Sequence, residues 1–155
     1  MEYRLSEDQQ AIVDAAEQIC ADFPLEYWRG KDKNHEFPHE FFSAVASGGW
    51  LGICMPEDVG GANLGVTEAA LFMRTVAACG GQAAASTIHM NIFGLQPVVH
   101  FGTQEQKQRW LPPFARGENK ACFAVTEPDT GLDTTKLKVT ARKQPNGDYL
   151  ISGKK

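Results

Sequence analysis

From Thr75 through Gln104 the chain carries no Asp, Glu, Lys or Arg. A helix in this stretch is not a solvated outer helix, whose water-facing side carries charge. Nor does it read as a membrane span. Gln82, Ser86, Thr87, His89, Asn91, Gln96, Pro97 and His100 interrupt it too often for about twenty consecutive apolar residues. The expectation is a helix buried on most sides within a bundle, with a kink or break between Gly94 and Pro97, where helix propensity falls and one backbone donor is missing. The polar side chains His89, Asn91 and Gln96 must either find hydrogen-bond partners in a core or face a ligand cavity. The residues by themselves leave both readings open.

With 155 residues, 43% hydrophobic and 22% charged, the chain has the material for one globular domain, or for one domain and part of another. Its formal net charge is -4 and its basic residues are scattered, so no stripe is available to neutralise phosphates and nucleic acid is not an expected partner. Met1-Glu2-Tyr3-Arg4 lacks the apolar core of a signal peptide, and the expected location is cytoplasmic. Cys20, Cys54, Cys79 and Cys122 are widely spaced and form no Cys-x-x-Cys pair, as befits free thiols in a reducing compartment. His35 and His39 are four apart, but Pro38 stands between them and no third ligand follows, so no metal is expected.

Before the uncharged stretch the periodicity is helical. Ser6 and Gln9 have capping-box spacing, and Ile12, Val13, Ala16, Ile19, Cys20 and Phe23 recur at helical intervals until Pro24. Pro38 opens a second helix with Phe41, Phe42 and Val45 as its stripe and Gly48-Gly49 at its end. Thr67 is placed to cap a third helix as far as about Cys79, with Val66 and Leu71 as a staple and Gly80-Gly81 closing it. Gly60-Gly61 and Gly65 follow no strand and therefore do not form a dinucleotide fingerprint. Beyond the uncharged stretch, Thr103 and Gln106 make another capping box, and Pro112-Pro113 stops that short helix.

After Gly117 the period becomes two. Ala121 to Val125 reads as a strand, Leu137, Val139 and Ala141 alternate in a second, and Tyr149 with Ile151 in a third. Asn146-Gly147 between the last two is a hairpin signal. The fold class is thus mainly α: an N-terminal helical bundle at 1–119 followed by an incomplete antiparallel β domain at 120–155. Three strands with little chain to cover them make a poor independent domain, so the fold is expected to be unfinished at Lys155.

At this junction stands Phe123-Ala124-Val125-Thr126-Glu127-Pro128-Asp129-Thr130-Gly131-Leu132-Asp133. Together with the opening helix, the loop from Gly49 to Gly61, Phe101-Gly102-Thr103-Gln104-Glu105-Gln106-Lys107 and the closing Ile151-Ser152-Gly153-Lys154-Lys155, it resembles the amino-terminal part of acyl-CoA dehydrogenases. Five short pieces in the family's order carry the resemblance over the whole chain.

The resemblance implies a flavoenzyme whose helical, β and second helical domains together enclose FAD and an acyl-CoA thioester, oxidising it to the 2-enoyl-CoA. By position, Thr126 would offer its hydroxyl near flavin N5 and O4, Val125 its backbone groups to the pyrimidine edge, and Phe123 its ring nearby. Gly131 would admit close backbone approach. Leu132 stands where the family often has Ser, leaving only its backbone N–H for the cofactor or substrate. His89, Phe93 and Gln96 would project toward the acyl chain, Phe93 limiting its length. Asn91 would satisfy backbone groups. The family's catalytic glutamate lies in the second helical domain, and no residue up to 155 matches it, so these residues alone are expected to be inactive. Glu127 alternates away from the face of Thr126. Implied partners are acyl-CoA, an electron-transfer flavoprotein or similar acceptor, and a homo-oligomer or a chain supplying the remaining domains. Two other readings are a non-catalytic helical interaction module and, from Asp129-Thr130-Gly131, an aspartic protease, which needs a second copy of that triplet.

Overall fold

The computed structural model describes residues 4–155. They divide into two compact units, one ending at Cys122 and the other running Phe123–Lys155. Among the described residues of the first unit the helices are α1 (Glu7–Ala21), α2 (Leu25–Asn34), α3 (His39–Ser47), α4 (Val66–Phe93), α5 (Gln96–Phe101) and α6 (Gln104–Ala115).

The Ser6 hydroxyl accepts from the Gln9 N–H and the Gln9 side chain accepts from the Ser6 N–H, so the reciprocal cap starts α1 as its spacing predicts. Ile12, Ala16 and Cys20, one turn apart, face the core, and α1 packs chiefly along α4. Phe41, Phe42 and Val45 are the buried stripe of α3, and Gly49 takes φ 78 just beyond its end. Sequence periodicity does not reveal α2, because Trp28 is its one buried residue. Trp28 is its anchor in the core: its indole N–H donates to the Phe23 carbonyl at 3.0 Å and its ring meets Phe41 edge-on at 5.0 Å. At the surface Glu40 joins α2 to α3, accepting from the Tyr27 hydroxyl at 2.8 Å and pairing with Lys31 at 3.1 Å. Its own backbone N–H in the first turn of α3, followed by Tyr27 and Lys31, holds the Glu40 carboxyl down at about 2.

The long helix departs from expectation in three ways. Its N-cap is Gly65 rather than Thr67, and Val66 is 82% exposed, so it makes no staple. Helix resumes after Gly80-Gly81 instead of ending there; only Gly81 leaves helical geometry (φ 68, ψ -160), a conformation accessible to glycine. Gly80 is required for another reason: a Cβ there would lie 2.6 Å from Trp28 Cε2 and 2.5 Å from Ala84 Cβ. Finally, the uncharged segment is buried on one face and not on most sides. Ala84, Ile88, Asn91 and Ile92 are buried, whereas Gln82, Ala83, Ser86 and Phe93 are exposed. The break at Gly94 is present, with α5 beginning two residues later and Pro97 in its first turn.

Thr103 and Gln106 cap α6 reciprocally. Pro112-Pro113 do not stop it, because they fall in the last turns, where only two rungs are lost and their carbonyls still accept from Arg116 and Glu118 N–H groups at 3.0 and 2.9 Å. Two cores result. The larger joins α1, α2, α3 and α4 around Phe41, Phe72 and Val76; the smaller joins Met55, Val59, Leu95, Leu111 and Ala115.

In the second unit β1 (Thr140–Lys143) and β2 (Tyr149–Ser152) pair antiparallel, Thr140 opposite Ser152 and Lys143 opposite Tyr149. The turn between them closes with Gly147 N–H on Gln144 O at 3.0 Å and Gln144 N–H on Asp148 O at 2.8 Å, Gly147 taking φ 91 as the Asn-Gly signal requires. Ala121 to Val125 is not a strand, since alternation makes a strand only where a neighbouring backbone completes a ladder. Leu137 and Val139 likewise precede β1. The architecture is mainly helical with a small antiparallel hairpin.

Candidate functional site

The break between α4 and α5 turns the chain so that His89, Ile92 and Phe93 from one helix and Gln96, Val99 and His100 from the next share a surface. Opposite them lie the first turns of α4, with Ala69, Ala70 and Met73, and the loop residues Cys54 and Asn63 to Gly65. Together they line a pocket of about 630 Å³ with no Asp, Glu, Lys or Arg on its wall. His89, Phe93 and Gln96, singled out from the sequence, meet there. The loop and early-helix residues had no local signal, because only tertiary packing brings them opposite α5.

The polar groups of the wall have defined partners. Gln96 Nε2 donates to the Ile92 carbonyl at 3.2 Å, at the end of α4 where helical bonding is interrupted. His89 Nδ1 is 3.2 Å from the Ser86 carbonyl, and the His89 ring lies parallel to Phe93, 3° between planes and 6.3 Å between centroids. The Cys54 thiol donates to Gly65 O at 3.6 Å; burial, with the nearby Glu68 charge, pushes its pKa up, so it is no reactive thiolate.

Asn91, between His89 and Phe93 in sequence, points elsewhere. It is 2% exposed, donates to the carbonyls of Phe114 and Asn119 at 3.2 and 2.9 Å, and accepts from Ala121 N–H at 3.1 Å. It therefore ties α4 to the last turn of α6 and the segment after it.

In the second unit, Phe123 is 56% and Leu132 103% exposed, Thr126 is exposed, and Gly131 has open space where a Cβ would stand. Beside them Glu127 is buried and fixed. Its backbone exchanges hydrogen bonds with Thr130, at 2.9 and 3.1 Å, and its carboxylate accepts from the N–H groups of Lys138 and Val139 at 2.6 and 3.0 Å and pairs with Lys155 at 3.1 Å. The Lys138 N–H above all, with Val139 and Lys155, pulls the Glu127 carboxyl below the ordinary range against the opposing effect of burial. Lys155 also donates to Val125 O at 2.8 Å. Glu127 is thus a clamp that holds the exposed segment in shape.

Asp129-Thr130-Gly131 lies in the turn made by this clamp. Asp129 is exposed and paired with Lys138 at 2.9 Å, and Thr130 donates to Lys136 O at 3.2 Å, so the triplet serves the turn and not a protease dyad. Among the described residues no group of three or more His, Cys, Asp or Glu could hold a metal, and no helix is long and apolar enough to cross a membrane.

Residues 6–118 match the family described as acyl-CoA dehydrogenase, N-terminal domain. The chain is 36% identical over 150 residues to acyl-CoA dehydrogenase FadE12 of Mycobacterium tuberculosis, covering 97% of this chain and 38% of that protein. It is 32% identical over 125 residues to the human mitochondrial short-chain specific acyl-CoA dehydrogenase, covering 80% of this chain and 30% of that protein. An acyl-CoA dehydrogenase from Bacillus anthracis, solved in complex with FAD, superposes with a TM-score of 0.82 at 31% identity, covering 96% of this chain and 26% of that one. The chain therefore spans well under half the length of these relatives. The matched helical unit and the start of a β region behind it place the chain in the acyl-CoA dehydrogenase family.

Proposed function

We propose that this chain supplies the acyl-pocket wall and the first flavin-contacting segment of an FAD-dependent acyl-CoA dehydrogenase, which oxidises an acyl-CoA thioester to its 2-enoyl-CoA. The observation that carries the proposal is the uncharged pocket between α4, α5 and the loop from Cys54 to Gly65, whose size and apolar wall suit an acyl chain. His89, Phe93 and Gln96 would line that chain, and Phe93 would limit its length. Leu132 would approach substrate or cofactor through its backbone N–H. The division of labour follows a helical domain at 1–119 and a β domain from 120, a boundary supported by the compact unit ending at Cys122.

The residues present fit the flavin. The exposed Thr126 hydroxyl, the Phe123 ring and the open space at Gly131 suit a flat, polar-edged ring system. Bound there, FAD supplies the acceptor for the hydride leaving Cβ. The protein's own contribution is positional. Thr126 and the Val125 N–H would hydrogen-bond the ring edge, while Glu127 and Lys155 keep that segment in shape. The pocket would hold the acyl chain and exclude water. An electron-transfer flavoprotein or similar acceptor would reoxidise the enzyme. Its partner would be a second copy in a homo-oligomer, or a chain that supplies the remaining domains. Four free cysteines suit a reducing cytoplasm. The test is purification of the whole protein carrying this chain: it should be yellow, and anaerobic addition of an acyl-CoA should bleach it. A colourless protein that takes up no FAD would support the non-catalytic interaction module instead.

A further inference from the structure

Helices α1 and α4 pack along each other, and a polar contact fixes their register. Gln9 Nε2 donates to Glu68 Oε1 at 3.1 Å, so the two helices begin side by side and run parallel. Cys20 stands eleven residues beyond Gln9, and Cys79 eleven residues beyond Glu68. A step of eleven is about three turns, which brings each helix back to the same face at the same height. The two cysteines therefore meet at the far end of the seam, where their thiols are hydrogen-bonded to each other. Their surroundings differ. Cys20 is 6% exposed and follows Ile12 and Ala16 on the buried stripe of α1, whereas Cys79, one turn beyond the buried Thr75, is exposed.

We propose that Cys20 and Cys79 are a redox-active dithiol, which a peroxide closes to a disulfide between α1 and α4. The Cys79 thiolate, open to solvent, attacks one peroxide oxygen; the O–O bond breaks, and hydroxide leaves and is protonated to water. Cys79 is then a sulfenic acid. The Cys20 sulfur attacks the Cys79 sulfur, the S–O bond breaks, and the hydroxyl leaves as water with the Cys20 proton. Two thiols are oxidised and one peroxide is reduced to two waters. The order follows burial. Burial above all, then the charge and hydrogen bond of Cys79 and the charge of Glu17, push the Cys20 pKa up to about 12, so Cys20 does not meet the oxidant as a thiolate. The share due to Cys79 disappears once that sulfur is a sulfenic acid. Transient pairing of this kind is the form disulfides take in a reducing compartment. The bond pins α4 just before Gly81, its non-helical joint, with Ala69, Ala70 and Met73 of the pocket wall on one side and His89, Ile92 and Phe93 on the other.

The test is peptide mapping of the whole protein carrying this chain, reduced, desalted, treated with hydrogen peroxide, alkylated and digested with trypsin without reductant. Trypsin places Cys20 in Leu5–Arg29 and Cys79 in Thr75–Lys107, neither of which holds another cysteine. Peroxide should join these two peptides, and dithiothreitol should separate them. In Cys20→Ala, Cys79 should instead be trapped as a sulfenic acid by dimedone. Cys79→Ser, which changes an exposed side chain and spares the core, should leave Cys20 reduced at the same peroxide dose. Oxidation of Cys79 with Cys20 left free, a bond from either to Cys54, Cys122 or another chain, oxidation of Cys20 in Cys79→Ser, or no reaction at either sulfur would overturn the proposal.

Discussion

Asn91 shows how one side chain can be polar, buried and yet outside the chemistry. Its amide closes three hydrogen bonds to main-chain groups at Phe114, Asn119 and Ala121. Asn91→Ala orphans all three, and urea denaturation should show a loss of roughly 2–4 kcal/mol. A midpoint shift no larger than that of a surface substitution would show that water replaces the amide. Glu127 makes the corresponding prediction for pH. Its folded pKa is depressed, so its stabilisation is present above the ordinary glutamate value of about 4.3 and is lost as pH falls through the folded value. Hydrogen-exchange protection of the Lys138 and Val139 amides should weaken on that acid side, and Glu127→Gln should abolish the pH dependence. Thr126 carries the third prediction at this scale. Thr126→Val keeps the shape and deletes the hydroxyl; in the whole flavoprotein FAD should remain bound while flavin reduction by acyl-CoA slows roughly tenfold, for about 1.4 kcal/mol lost. An unchanged rate would remove the hydroxyl from the reaction.

At the scale of elements, legibility followed how local the cause was. The caps at Ser6 and Thr103, the break at Gly94 and the turn at Asn146-Gly147 are made by side chains within a few residues, and each is visible as a short pattern. Helix α2 is not, because its one buried side chain, Trp28 against Phe41, and the surface contacts of Tyr27 and Lys31 with Glu40 are all tertiary. Ala121 to Val125 shows the reverse: its alternation is local, but strand formation depends on a partner. The pocket divides the same way. His89, Phe93 and Gln96 came from the uncharged helix and the family resemblance, whereas Cys54, Leu64 and Met73 became wall residues only through packing of the loop and the start of α4. Gly80 offers a direct check on this tertiary control. In an exposed helix Gly→Ala stabilises by about 1 kcal/mol. Here the added methyl would meet the Trp28 ring and Ala84, so Gly80→Ala should instead destabilise by about 1–3 kcal/mol in denaturant titrations. Stabilisation would mean that α2 yields without cost.

For the molecule as a whole, the distribution of its acids and bases decides what these 155 residues do alone. Removing the α proton of a thioester requires a positioned base, and no carboxylate lines the pocket. Glu127, the acid next to the segment proposed to contact the flavin, has both oxygens engaged by main-chain N–H groups, one of them also by Lys155, and its depressed pKa makes it a poor proton acceptor. Of the two imidazoles on the pocket wall, His100 is exposed and His89 holds its Nδ1 against the Ser86 carbonyl. The residues proposed to contact the flavin are, for their part, open to solvent: Leu132 is fully exposed, and a Cβ at Gly131 would meet nothing within 4 Å. A cofactor lying there keeps most of its area in water, while the cost of ordering it remains. The 155-residue chain supplied with FAD should therefore bind it weakly and leave its absorbance unchanged when acyl-CoA thioesters are added anaerobically. Stoichiometric bleaching within seconds would mean that a base is present among these residues and would overturn the assignment of Glu127 as a purely structural clamp.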